Sequence, residues 1–127
     1  MLVLQHVAVT FPPGEADAMR AFYGRGLGLT EMPVPDEVAH LGWVWFATGH
    51  DGVELHFIPH AIAPDPARVH HFCLQVDDLA AARARLEAIG ATVTDAGARI
   101  IGRDRAFVRD SVGNLVELVE LVDLPEA

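Results

Sequence analysis

The sequence predicts an α+β fold in which two βαβββ modules together form a cupped mixed sheet. The first observation behind this prediction is the order strand, helix, three strands, which the hydrophobic pattern indicates twice in the 127 residues. The second is a pair of repeated motifs. The strand that contains His6 resembles the strand that contains His71, 65 residues later, and Val-Glu-Leu recurs around Glu54 and Glu117, 63 residues apart. Two motifs at nearly one offset indicate a duplicated structural unit.

We therefore expect a single domain over residues 1–127, made of half-modules at about 1–60 and 69–123. Residues 2–11 are apolar and rich in valine, which predicts a buried strand. Residues 15–25 predict a helix, because apolar side chains recur there at helical spacing, and the following glycines (Gly24, Gly26 and Gly28) are expected to end it. Three shorter apolar segments predict strands, around residues 29–34, 41–48 and 52–59.

The second half repeats this order after a proline-containing linker at residues 61–68. Residues 69–76 predict a buried strand. Asp77 and Asp78 are suitable helix N-caps, and the apolar spacing predicts a helix over residues 79–89 that Gly90 ends. Three further strands are expected, around residues 91–94, 100–108 and 115–122.

Composition restricts the class of function. Net charge is −9, from 9 basic and 18 acidic residues, and this excess disfavours nucleic acid or an anionic membrane as partner, because both require clustered positive charge. No apolar run approaches the ~20 residues that span a bilayer, and no export signal is evident, so a cytoplasmic protein with a small-molecule substrate is expected. The single cysteine, Cys73, is expected to be a small buried hydrophobe.

Each half places a histidine on its first strand and a glutamate on its last. Alternation along a strand directs a polar residue either to solvent or into a cavity. Burying His6, Glu54, His71 and Glu117 together would be costly unless they were paired or bound to a metal. A divalent ion removes that cost, and His and Glu donors suit Zn²⁺, Ni²⁺, Co²⁺, Fe²⁺ or Mn²⁺. His56 is an alternative to Glu54, because it lies two residues further on the same side.

Other side chains on these strands are candidates for contact with a substrate. Trp43 and Trp45 share one face of the third strand, where they form either an aromatic wall or ordinary core packing. Arg105 and Phe107 share a face of the penultimate strand with Arg103. Arg105 could bind a carboxylate or phosphate through its planar guanidinium, or it could be an ordinary surface arginine.

Three motifs resemble the vicinal oxygen chelate superfamily. They are Phe-Tyr followed by Gly-Leu-Gly-Leu over residues 22–29, His-His-Phe-Cys-Leu-Gln-Val-Asp-Asp over residues 70–78, and Asp-Ser-Val-Gly-Asn-Leu-Val-Glu-Leu over residues 110–118. In the last motif Ser111 and Val112 replace the family's Pro-Asp. The superfamily includes glyoxalase I, methylmalonyl-CoA epimerase, extradiol dioxygenases, fosfomycin-resistance transferases and bleomycin-resistance proteins.

The resemblance implies a glyoxalase/bleomycin-resistance-like fold, a homodimer, and a divalent metal held by His6, Glu54, His71 and Glu117, with His56 as the alternative to Glu54. Glu117 or Glu54 would then move a proton in a glyoxalase- or epimerase-like reaction on a substrate with vicinal oxygens. Two other functions remain open from the sequence. One is a non-catalytic protein that binds or sequesters an antibiotic-like molecule, and the other is an Fe²⁺-dependent extradiol dioxygenase or fosfomycin thiol transferase.

Overall fold

The structure, a computed structural model, describes residues 1–50, 52–62 and 64–123. Its first half begins with strand β1, followed by helix α1, which starts as an α-helix and continues as a π-helix. Strands β2, β3 and β4 come next, with a 3₁₀-helix between β2 and β3. The bounds are β1 His6–Phe11, α1 Ala16–Met19 continued by Arg20–Gly26, β2 Thr30–Met32, the 3₁₀-helix Asp36–Leu41, β3 Val44–Ala47 and β4 Glu54–Pro59.

The second half repeats this order with a longer second helix. Its helix α2 is capped at its N-terminus by the side chain of Asp78, which accepts a hydrogen bond from the Ala81 amide at 3.0 Å. The bounds are β5 His71–Gln75, α2 Leu79–Ala88, β6 Val93–Asp95, β7 Arg103–Arg109 and β8 Leu115–Leu121. The predicted α+β class with a repeated βαβββ order is confirmed.

Within the described residues the strands form two four-stranded mixed sheets, one for each half. The strand orders are β1-β4-β3-β2 and β5-β8-β7-β6. In both sheets the first strand pairs in parallel with the last strand, while the remaining pairs are antiparallel. The histidine-bearing strand of each half therefore lies directly beside its glutamate-bearing strand.

The hydrophobic core lies between the sheets and the two helices, and one cluster of buried side chains includes residues of both halves. Tyr23 is fully buried and its hydroxyl donates a 2.7 Å hydrogen bond to Asp110, 87 residues away. Burial, followed by the adjacent Asp110 carboxylate, raises the pKa of Tyr23 well above its usual value. The tyrosine therefore remains a donor and ties the first helix to the turn that precedes β8.

The glycines of the first helix have a different role from the one predicted. The helix does not end at Gly24 but runs through Gly26 as a π-helix. A Cβ at Gly26 would lie 2.7 Å from Ile89 Cδ1 and 3.0 Å from Leu86 Cδ2, so the glycine permits α1 to approach α2 closely. Only Gly28, with φ +76°, lies beyond the helix in a left-handed conformation.

Several strand boundaries also differ from the prediction, two of them in the first half. β1 begins at His6, because pairing with β4 starts there, and residues 2–4 lie outside the sheet with exposed side chains. The third strand begins at Val44, because the 3₁₀-helix takes up the residues before it. No helix in the described part of the chain is long and apolar enough to cross a membrane.

The close approach of the helices at Gly26 leads to a stability prediction. We expect Gly26→Ala to have a free energy of unfolding about 1 kcal/mol lower than Gly24→Ala, because the added methyl would displace the side-chain ends of Ile89 and Leu86. Gly24→Ala is the matched control in the same π-helix, since its Cβ would lie 3.6 Å from the Phe46 ring, an ordinary contact. Urea denaturation measures both. Equal stability of the two variants would contradict the packing role of Gly26.

Candidate active site

The site residues lie on the face of each sheet that is turned away from the core, here called the open face. Leu55 and Phe57 of β4 point into the core, so the alternating side chains of Glu54 and His56 lie on the other side. The same alternation applies to the other strands. The side chains on the open face include His6, Ala8, Trp43, Trp45, Glu54 and His56 in the first half, and His71, Cys73, Arg103, Arg105, Phe107 and Glu117 in the second.

In the first half, four aromatic rings follow one another across the open face and form a ring stack. The ring centroids of Trp45 and His56 lie 3.7 Å apart with an interplanar angle of 3°, and those of His56 and His6 lie 4.1 Å apart. Trp43 continues the stack at 6.4 Å from Trp45. Both tryptophans, for which the sequence left an aromatic wall or core packing open, therefore share this face. The indole N–H of Trp45 is buried and has no hydrogen-bond partner among the described residues.

Glu54 joins this group through His56. The His56 Nε2 lies 2.8 Å from Glu54 Oε1. Since a carboxylate only accepts, Nε2 carries a proton, and Nδ1 has a lone pair when the ring is neutral. The hydrogen bond from His56 lowers the pKa of Glu54. Glu54 is therefore ionised at neutral pH and fixes the orientation of the histidine beside it.

In the second half, the buried carboxylate of Glu117 is the centre of the group. One of its oxygens, Oε1, lies 3.2 Å from His71 Nε2. The other, Oε2, accepts from Arg105 Nε at 3.2 Å and from the Cys73 thiol at 3.4 Å. Burial acts to raise the pKa of Glu117, but the hydrogen bonds from Arg105 and Cys73, together with the charges of Arg105 and His71, outweigh it and lower the pKa.

Cys73 is not the buried hydrophobe that the sequence predicted. It is exposed and lies on the open face, directly opposite Glu117 in the pairing of β5 with β8. Partial desolvation, and then the Glu117 carboxylate, raise the pKa of the thiol to about 11. The available signal was parity along the strand, because Cys73 is two residues from His71 and so shares its face.

Arg105 and Phe107 also reach this group. Phe107 meets the His71 ring edge-to-face at 5.2 Å, and the Arg105 guanidinium carbon lies 5.8 Å from the centre of the Phe107 ring. Besides its bond to Glu117, Arg105 donates from Nη1 to the carbonyl oxygen of Ala98 at 2.7 Å. Two of its donors are thus directed at protein acceptors. A role for Arg105 or Phe107 in binding a substrate stays a prediction.

The histidines have the hydrogen bonds expected of metal ligands. His71 Nδ1 lies 2.9 Å from the Val69 carbonyl oxygen, and His6 Nδ1 contacts Gln5 Oε1. A carbonyl oxygen only accepts, so His71 carries a proton on Nδ1. Its Nε2 then faces the Glu117 carboxylate either as the second N–H of an imidazolium, in an ion pair, or as the lone pair of a neutral ring. In the neutral ring a divalent ion can take the place of the Nε2 proton between the two groups. Two donors that bind one ion at about 2.1 Å each lie roughly 3 Å apart, and the observed 3.2 Å fits that separation.

The structure thus brings the predicted ligands together in two groups, His71 with Glu117 and His6 with Glu54 and His56. No set of three or more His, Cys, Asp or Glu side chains within residues 1–50, 52–62 and 64–123 is grouped so that it could hold a metal ion. The chemistry of the donors fits a divalent ion, and the pair formed by His71 and Glu117 fits it best.

Strand register distinguishes the two candidates of the first half. His71 pairs with Leu115, so Glu117 lies two residues further along its strand. His6 pairs with Glu54, and the residue two positions further is His56. Across the antiparallel pairs, Trp45 faces His56 as Phe107 faces Glu117. In the repeat His56 therefore occupies the position of Glu117, whereas Glu54 occupies that of Leu115.

Comparison with known proteins agrees with this architecture. The model of the Glyoxalase/Bleomycin resistance protein/Dioxygenase superfamily matches residues 3–118. An ethylmalonyl-CoA/methylmalonyl-CoA epimerase of Cereibacter sphaeroides is 35% identical over 132 residues, which cover 93% of this chain and 97% of the epimerase.

Solved structures show the same similarity. The crystal structure of a glyoxalase family protein from Bacillus anthracis has a TM-score of 0.84 at 30% identity, with 96% of this chain and 97% of that chain covered. An antibiotic binding protein, TnmS3, from a Streptomyces species has a TM-score of 0.70 at 21% identity, with 96% and 98% covered. The second similarity shows the shared fold alone.

The raised pKa of Cys73 gives a direct test of the geometry around Glu117. Since the pKa is shifted from 9.0 to about 11, the thiolate fraction near pH 8 is about 100-fold smaller, and iodoacetamide should alkylate Cys73 about 100-fold more slowly than an ordinary exposed thiol. Glu117→Gln should accelerate alkylation. Mass spectrometry follows the reaction without ambiguity, because Cys73 is the single cysteine. An ordinary rate in the unmodified protein would contradict the contact.

Proposed function

Because this chain belongs to the Glyoxalase/Bleomycin resistance protein/Dioxygenase superfamily, we propose that it is a metal-dependent isomerase of the glyoxalase or epimerase type. The substrate class is a small molecule with two neighbouring carbonyl or carboxylate oxygens. The observation that carries the proposal is the pairing of His71 Nε2 with Glu117 Oε1, held 3.2 Å apart while the other nitrogen of the histidine is bonded to the Val69 carbonyl oxygen.

An epimerase reaction is the first choice within this class. It is supported by the 35% identity to an ethylmalonyl-CoA/methylmalonyl-CoA epimerase over nearly the whole chain. Substituted malonyl thioesters carry one acidic C–H between a carboxylate and a thioester carbonyl. They therefore offer the two oxygens and the exchangeable proton that the proposed chemistry needs.

The residues proposed to hold the ion are His6, His56, His71 and Glu117. His56 is preferred to Glu54 for two reasons. Its position in the register is equivalent to that of Glu117. Its Nε2–H is directed at Glu54, so the Nδ1 lone pair of the neutral ring could bind the ion. The rings of His6 and His56 lie face to face, so one of them must turn before both can bind one ion. A divalent ion would supply a Lewis acid that polarises the substrate oxygens.

Proton transfer is assigned to Glu54, the second glutamate of the predicted catalytic pair. Its carboxylate is ionised, only half-buried, and adjacent to the proposed ligand His56, so it can accept the acidic proton of a bound substrate. Glu117 is less suited, because three neighbours already engage its oxygens. Trp43, Trp45 and Phe107 would exclude water from the substrate.

The assembly proposed is a homodimer in the cytoplasm, with no nucleic acid or membrane as partner. Its support is the exposed apolar segment before β1. Leu2 is fully exposed, and Val3 and Leu4 are 68% and 63% exposed. A second copy of the chain could bury these side chains, whose exposure costs free energy in a monomer.

The first prediction concerns metal binding. The purified protein should bind a divalent ion at about one per chain, and a chelator should lower its stability, by about 2.7 kcal/mol if the free ion had been at 100 times its Kd. His71→Ala should abolish both effects, because it removes one of the two facing donors. Elemental analysis and thermal unfolding measure them. His70→Ala is the matched control, since His70 precedes β5 and should leave the metal content unchanged.

The second prediction separates ligand from base. Glu54→Gln should retain the metal yet lower kcat by at least about 100-fold, whereas Glu117→Gln should lose the metal and the activity together. Loss of the α-proton signal of methylmalonyl-CoA in D₂O, followed by NMR, measures the exchange reaction. If Glu54→Gln exchanges this proton at the rate of the unmodified protein, Glu54 is not the base.

A second candidate function is the binding of a planar, antibiotic-like molecule without catalysis. The ring stack favours it, because a row of stacked aromatic side chains presents apolar ring edges against which a ligand ring can pack. The two functions differ in a simple experiment. A sequestering protein would show neither metal nor a chelator effect, and planar ligands would quench the fluorescence of Trp43 and Trp45.

A further inference from the structure

Two open-face side chains around Glu117, Arg105 and Cys73, have no part in the proposed reaction. Both donate to the same oxygen, Oε2, from opposite sides of the carboxylate, Arg105 from β7 and Cys73 from β5. The other oxygen, Oε1, has His71 Nε2 as its neighbour. Hydrogen bonds thus fix one oxygen of the carboxylate, while the other oxygen faces His71.

We propose that Arg105 and Cys73 are positioning residues, which hold Glu117 Oε2 so that Oε1 and His71 Nε2 are presented together as a preformed pair of donors to a divalent cation. This inference rests on the proposed function for its ligand. It adds two residues through which the affinity for the cation is set. Neighbours that orient a ligand in this way typically change metal affinity by 10–100-fold.

Arg105 is itself held in place at both ends of its guanidinium. Nε donates to Glu117, Nη1 donates to the Ala98 carbonyl oxygen at 2.7 Å, and the group lies over the Phe107 ring. The side chains of Arg105 and Glu117 are only 13% and 10% exposed. A planar fork with two fixed bonds defines the carboxylate orientation in a way that a single flexible ammonium group does not.

The fold itself does not require this arrangement. In the first half, Ala8 occupies the position of Cys73, because Ala8 pairs with His56 as Cys73 pairs with Glu117. Trp45 faces His56 as Phe107 faces Glu117, and Trp43 precedes Trp45 by two residues as Arg105 precedes Phe107. The two donors therefore accompany the carboxylate in the second half and are absent where His56 takes its place. This points to a role tied to Glu117 rather than to sheet formation.

A purely electrostatic role for Arg105 predicts a change in cation affinity in the opposite direction to that of a positioning role. A guanidinium close to a cation site repels the cation, so removing it would tighten binding. A positioning role predicts weaker binding when Arg105 is removed. Glu117 would then lose its fixed orientation, and its side chain would lose conformational entropy when the cation binds. The direction of the change in affinity therefore separates the two roles.

The experiment measures the Kd for Co²⁺ of the full-length protein by competition with a fluorescent chelator, together with the visible spectrum of the Co²⁺ complex. We expect Arg105→Gln to weaken binding by about 10–100-fold, and Arg105→Lys to be intermediate because it keeps charge without the fork. Cys73→Ala should weaken binding by up to about tenfold, and Cys73→Ser, which keeps a donor, should restore it. Arg103→Gln is the matched control on the same face of β7 and should not alter the Kd.

Unchanged or tighter Co²⁺ binding in Arg105→Gln would overturn the proposal. So would a loss of thermal stability in this variant without a loss of affinity, because that result assigns Arg105 a structural role alone. Failure of the proposed function is distinguishable, since the unmodified protein would then bind no Co²⁺. In that case the Arg105 Nε–H signal in a ¹H–¹⁵N spectrum shows whether Arg105 contacts Glu117. The positioning contact holds if that signal is protected from exchange in the unmodified protein and lost in Glu117→Gln, and it is excluded if the two spectra agree.

Discussion

The parallel pairing of the first and last strands in each half is the constraint on which the site depends. Between these two strands the chain passes through a helix and two further strands, so residues far apart in sequence become neighbours across a single ladder of hydrogen bonds. The pairing sets His6 beside Glu54 and Cys73 beside Glu117. Because side chains alternate along a strand, the same register that packs Leu55 and Val116 into the core places the candidate site residues on the open face. A slip of one residue would exchange the two sets, and the burial of the core therefore protects the site geometry.

The two halves share this framework but carry different chemistry at equivalent positions. The first half presents stacked rings, with Trp45, His56 and His6 in contact. The second half presents a carboxylate with a guanidinium and a thiol around it. Duplication thus supplies a symmetric scaffold, and substitution on the open face makes one half suited to flat apolar groups and the other to charge. The Tyr23–Asp110 hydrogen bond joins the halves through the core without using any open-face residue, so the site chemistry is free to vary while the core contact remains.

Much of the fold follows from short-range patterns in the sequence. The order of elements, the Asp78 cap and the placement of a histidine and a glutamate on adjacent strands depend on hydrophobic spacing and on the repeat. The features that sequence reasoning missed depend on long-range packing. Gly26 is at the place where α1 meets α2, and nothing within ten residues of it indicates that contact. The equivalence of His56 with Glu117 depends on register, which relates the two last strands by 117 − 56 = 61 residues. The Val-Glu-Leu repeat has an offset of 63 and therefore pointed to Glu54, two residues earlier. Cys73 was assigned to the core from its apolar neighbours, although its parity with His71 places it on the open face.

The burial of Glu117 bears on function because such a group is costly to keep. Removing a carboxylate and a guanidinium from water costs several kcal/mol for each ion, and an ion pair of this kind often stabilises a fold no better than apolar residues of equal volume. Arg105 and Glu117 are nonetheless nearly buried, and Nε2 of His71 is directed at the same carboxylate. Fold stability alone does not account for this combination, since the first half forms the same sheet with Ala8 and His56 at the positions of Cys73 and Glu117. A divalent cation between His71 and Glu117 would take the place of the Nε2 proton, and the donors on Oε2 would then keep the pair aligned.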